Sequence, residues 1–118
     1  MDDIYDRSKW PQPEVNPLVQ LLLRPGDWVT NNELATALEL VNTTRSKSVV
    51  GHYRSLVNEI GPEHTKLERG GPLVKHRHAV RYFTKKALVR IAMRSQTRNA
   101  EAFRDWVATR MAKEFANG

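Results

Sequence analysis

The chain has 118 residues, 40% hydrophobic and 27% charged, a balance that supports one folded core and excludes an intrinsically disordered chain. It contains no cysteine, which excludes a disulfide scaffold, a thiol nucleophile and any zinc site built on thiolates. The formal net charge is +6, no apolar run approaches the roughly 20 residues of a membrane span, and Met1-Asp2-Asp3 lacks the basic start of a signal segment, so the expectation is a cytoplasmic protein with no membrane contact.

Residues 1–12 have no apolar period and read as an N-terminal arm, leaving 13–118 as a single domain. Asn16-Pro17 has the form of an N-cap followed by proline at the first helical position, and Leu18, Leu21 and Leu22 line one face of a helix ending at Pro25-Gly26. Thr30 and Glu33 have the spacing of a capping box, with Leu34, Ala35 and Leu38 as the apolar face of a helix over 31–40. From 45 to 60, Val49, Tyr53, Leu56, Val57 and Ile60 step at helical spacing, opposite a side carrying Arg45, Lys47, Ser48, His52, Arg54 and Ser55. Gly61-Pro62 ends that helix.

The period then changes. His64 to Glu68 and Leu73 to Phe83 flank the turn Arg69-Gly70-Gly71-Pro72, which predicts a β-hairpin. On its second arm Val74, His76, His78, Val80 and Tyr82 share one face. Lys75, Arg77, Ala79, Arg81 and Phe83 share the other, which reads as a basic face. Thr84 caps a helix reaching about Arg94, with Ala87, Leu88, Ile91 and Ala92 inward and Lys86, Arg90 and Arg94 stacked outside. On the last helix Ala100, Phe103, Trp106, Val107, Arg110, Met111 and Phe115 repeat at helical spacing, with Phe103, Trp106, Val107 and Met111 read as core and a dimer seam as the alternative. The expected architecture is α+β: one small domain of about five helices and one β-hairpin, winged-helix-like in its order of a helix pair followed by a hairpin.

The charge is concentrated. Residues 64–98 hold ten basic side chains and one acid, Glu68, a local net of +9, whereas residues 1–33 are net acidic and the remaining segments are balanced. Such concentration implies a polyanionic partner, of which double-stranded DNA is the commonest. The basic residues expected to touch it are Lys66, Arg69, Lys75, Arg77, Arg81, Lys85, Lys86, Arg90, Arg94 and Arg98, together with Arg45, Lys47 and Arg54 on the preceding helix. They would act by neutralising phosphates and, in part, by reading base edges. His76 and His78 are two imidazoles on one strand face, but no further ligands at metal-site spacing accompany them, so no metal or other cofactor is expected. No phosphate-cradling loop, metalloprotease pair or nucleophile elbow occurs, and no enzymatic activity is expected.

Arg81-Tyr82-Phe83-Thr84, Ala87-Leu88-Val89-Arg90-Ile91, Arg94-Ser95 and then Phe103 with Asp105-Trp106-Val107 resemble the N-terminal domain of phage antirepressors and baculovirus repeated-ORF (BRO) proteins. Upstream, Trp28-Val29 and Glu33-Leu34-Ala35 resemble the family's aromatic-led helix, so the likeness covers about residues 27–111. Ala87 and Val89 stand where that family usually has glycine and tyrosine. The resemblance implies a non-catalytic DNA-binding regulator of phage or mobile-element type, acting in a bacterial host cytoplasm. It also implies an alternative, an antirepressor that binds a phage or host repressor protein. A homodimer is expected from the usual symmetry of such regulators.

Overall fold

The computed structural model describes residues 15–40, 48–69 and 79–116. The N-terminal arm, Arg45, Lys47, the Gly70-Gly71 turn, Lys75, His76, Arg77 and His78 lie outside the described residues. The elements run α1 (Pro17–Leu23), β1 (Trp28–Thr30), α2 (Asn31–Ala37), α3 (Val49–His52), α4 (Arg54–Ile60), a 3-10 turn (Pro62–His64), β2 (Thr65–Arg69), β3 (Ala79–Thr84), α5 (Lys85–Arg94) and α6 (Arg98–Ala116). The architecture is α+β, with six α-helices among the described residues against a small antiparallel sheet.

The helix starts follow their caps. Asn16 Oδ1 accepts from the N–H groups of Leu18 and Val19, Thr30 and Glu33 close a reciprocal capping box, and Thr84 Oγ1 accepts from Ala87 N. Glu33 is also clamped by the Arg24 guanidinium, whose second nitrogen donates to Glu33 Oε1 at 3.1 Å and to the Trp28 carbonyl at 3.3 Å. The Arg24 hydrogen bond, aided by the backbone and side chain of Thr30, lowers the Glu33 carboxyl to about 2 against the opposing effect of burial, and Glu33 raises Arg24 in turn.

The sheet has three strands rather than a lone hairpin, in the order β1-β3-β2. β1 is three residues long, too short for a period-two signal, and it exists because Trp28, Val29 and Thr30 pair with Thr84, Phe83 and Tyr82 of β3. The register places Val29, Phe83 and Thr65 side by side on one face, where Val29 and Phe83 are completely buried under the helices. The core is completed by Leu18 from α1, Leu34 and Leu38 from α2 and its end, Val49 from α3, Leu88 and Ile91 from α5, and Phe103 from α6.

Two expectations are corrected. The helix over 45–60 is broken at Tyr53, whose φ of −129° and ψ of 35° separate α3 from α4. Gly51 lies beside the break and weakens a continuous helix by about 1 kcal/mol relative to alanine. The stripe on α6 is core only in its first half: Ala100 and Phe103 are buried and Trp106 and Val107 pack on the core, but Met111 is 51% and Phe115 70% exposed. α6 has 19 residues against the 10 of α5, on which it packs, so its last turns outrun that helix.

Asparagines fasten the helix ends. Asn16 Nδ2 donates to the Asn99 carbonyl at 3.1 Å, Asn99 Nδ2 donates to the Ala37 carbonyl at 3.1 Å, and Asn99 N donates to Glu39 Oε1 at 2.6 Å. Glu39 holds a left-handed φ of 63°, so the end of α2 turns back and its carboxylate caps the start of α6.

Candidate nucleic-acid interface

The buried face of the sheet does not end at Phe83. Two residues further toward the β2–β3 connection, Arg81 stands opposite Leu67 on that same face, beyond the cover of the core. The wall facing them comes from α2 and α3: Asn31 and Asn32 at the start of the one, Ser48 and Val50 at the start of the other. Together they enclose an open groove of about 550 Å³. Its helical wall is held by Asn31 Oδ1 accepting from Val49 N at 2.9 Å and by Ser48 Oγ accepting from Gly51 N at 3.0 Å. Its strand wall is held by Thr65 Oγ1, which donates to the Tyr82 carbonyl at 3.0 Å and accepts from Arg81 at 3.3 Å.

This geometry revises the expected basic face of the hairpin. Because Phe83 is buried, the side of β3 that carries Arg81 is the side continuous with the core, so Arg81 borders the groove rather than an outer surface. The outer face carries Trp28, Tyr82 and Lys66 instead. The Lys66 ammonium lies 4.2 Å from the Trp28 ring centre and 5.5 Å from that of Tyr82, and pairs with Glu68 at 2.8 Å.

The remaining predicted cations fall in two groups. Arg69 is exposed at the last position of β2, opposite Ala79 and diagonal to Arg81 in the ladder, and Arg54 is exposed at the first position of α4. Lys85, Lys86, Arg90, Arg94 and Arg98 lie at the other end of β3, along α5 and into α6. Within that second group Lys85 Nζ donates to the Arg24 carbonyl, Arg90 lies 3.7 Å from Glu59 of α4, and Lys86, Arg94 and Arg98 are exposed. The stretch that is continuous in sequence is thus divided in space by the length of the sheet. Arg45, Lys47, Lys75 and Arg77 are outside the described residues.

Sequence reasoning missed Asn31, Asn32, Ser48, Val50 and Leu67 as groove residues. Leu67 carried a signal, being an apolar residue between Lys66 and Glu68 in the basic stretch; the others emerge only from the approach of α2 and α3 to the hairpin. Among the described residues no group of three histidines, cysteines or carboxylates could hold a metal, and no helix is long and apolar enough to cross a membrane.

The model of the BRO family N-terminal domain matches residues 23–114. The chain belongs to the BRO family. The match runs from the end of α1 through most of α6 and so takes in the whole sheet, the groove and both groups of cations. No curated protein and no solved structure matches the chain. The BRO N-terminal domain is a DNA-binding regulatory family rather than a known enzyme family, and membership points to a phage-type DNA-binding regulator or antirepressor. The Arg94-Ser95 motif that carried the resemblance has a structural part to play: Ser95 is buried between α5 and α6, and Arg104 donates to the carbonyls of Ser95 and Ala92.

Proposed function

We propose that this BRO-family domain is a transcriptional regulator that grips double-stranded DNA at the groove between the hairpin and the α2–α3 wall. The observation that carries the reading is convergence: Arg81 lines the groove, and Arg69 stands across the ladder from Ala79, another of its lining residues. A helix pair followed by an antiparallel hairpin supports a winged-helix mode, with α3–α4 toward the major groove and the hairpin along the backbone. Lys86, Arg94 and Arg98 extend the positive surface from the far end of the sheet, and a homodimer would present two grooves to a symmetric site.

The test is fluorescence anisotropy with a labelled 30-base-pair duplex of mixed sequence at low salt. Arg69→Ala with Arg81→Ala should weaken binding at least tenfold, and equally across unrelated sequences where the contacts are to phosphate. Unchanged affinity removes the groove from the interface. The alternative, an antirepressor that binds a repressor protein, draws on the family membership. Pull-down from host extract separates the two, since a protein partner survives nuclease treatment and a nucleic-acid bridge does not.

A further inference from the structure

A surface that only neutralises phosphate has no use for apolar side chains, yet four of the residues lining the groove are apolar: Val50, Leu67, Ala79 and Val80. Leu67 is 56% exposed, Val50 is half-buried opposite it, and Ala79 lies across the ladder on β3. Leu67 does no work in the core, since the buried face of the sheet is already filled by Val29 and Phe83. It stands directly opposite Arg81 in the register, which places an apolar side chain and a guanidinium about 5 Å apart at their Cβ atoms on the same face. The apolar group that a base pair presents in the major groove of B-DNA is the 5-methyl of thymine.

We propose that the Leu67–Val50 strip reads the thymine 5-methyl group, with Arg81 holding the adjacent phosphate or base edge, so that Leu67 is a specificity-determining residue. The proposal rests on the DNA-binding reading above and adds to it a base preference. Duplex DNA is favoured over a second protein as the occupant by charge: Leu67 pairs across the ladder with Arg81, and Arg69 pairs with Ala79, the next lining residue on the same face.

The chemical probe is removal of the methyl alone. Alternating A·T duplexes of 30 base pairs are compared with the same duplexes carrying deoxyuridine for every thymidine, and G·C duplexes are compared with their 5-methylcytosine counterparts. Burial of one methyl is worth about fourfold in affinity, so wild-type protein should prefer the thymidine duplex by fourfold or more and gain similarly from 5-methylcytosine. Leu67→Ser, at a position that leaves the core intact, should bring both ratios close to one while the melting temperature stays within a few degrees. Tight binding with ratios of one in the wild type overturns the methyl reading and leaves DNA binding standing. A preference that survives in Leu67→Ser overturns the assignment to Leu67. Absence of binding to every duplex at low salt overturns the DNA reading and this one with it.

Discussion

Glu33 does three things with one carboxylate: it accepts from Thr30 N to complete the capping box, it pairs with Arg24, and through Arg24 it reaches the carbonyl that starts β1. Its carboxyl is held at about 2, below the ordinary carboxylate range, mainly by the Arg24 hydrogen bond. A lowered folded value contributes stability above the unfolded one, and that contribution is lost as pH falls through the folded value. The difference in unfolding free energy between wild type and Glu33→Gln should therefore be constant above about pH 5 and close between about pH 4.5 and 2, as measured by urea unfolding across pH. Both side chains are about a third exposed, so solvent screening limits the pair itself to about 1 kcal/mol at neutral pH. Asn16 is a harder case, because it is buried and satisfies two N–H groups and one carbonyl together. Asn16→Ala should cost about 2 kcal/mol, toward the upper end for a lost cap, read from the same denaturation curves.

At the scale of elements, the starts of α1, α2 and α5 were legible because a cap is a local signal: Asn16, Thr30 and Thr84 each bind N–H groups two or three residues on. β1 was not, since three residues carry no periodicity and the strand is defined by its partner 54 positions later, as in the pair Val29 and Phe83. The α3–α4 break was hidden for the opposite reason. Val49, Tyr53, Leu56 and Ile60 keep helical spacing through it, so the pattern looks unbroken while the backbone at Tyr53 is not. The stripe on α6 misled by its length, for periodicity reports that a face is apolar and says nothing of what lies against it. Substitution separates its two halves. Phe103→Ala should destabilise by about 3–5 kcal/mol, whereas Met111→Ala and Phe115→Ala should each stay within about 0.5 kcal/mol by thermal or chemical denaturation.

On the scale of the whole molecule, the sequence located the charge and the fold decided what the charge can do. A net of +9 over residues 64–98 is one block in the chain, but the sheet carries its two ends apart, with Arg81 at a groove and Arg69 next to it in the ladder, and Lys86, Arg94 and Arg98 along α5 and α6. The groove itself was not legible, because its walls come from α2, α3 and the hairpin, and its polar rim of Asn31, Asn32 and Ser48 looks in sequence like ordinary capping chemistry. Both groups of cations fall within the matched BRO domain and form one electrostatic footprint with different reach. The groove cations should set affinity most strongly, and Arg94→Ala should weaken binding by a smaller factor, at most about fivefold in the same anisotropy titration.

The central claim is that this domain binds DNA chiefly by displacing counterions from phosphates. Its most direct test is the dependence of duplex affinity on salt, with anisotropy isotherms recorded between about 50 and 300 mM monovalent salt. With three or more phosphates neutralised at about −0.9 per contact, log affinity should fall against log salt with a slope of about −3 or steeper, and the Arg69→Ala, Arg81→Ala double variant should be shallower by about two. A slope near zero, or no binding at 50 mM, contradicts the account.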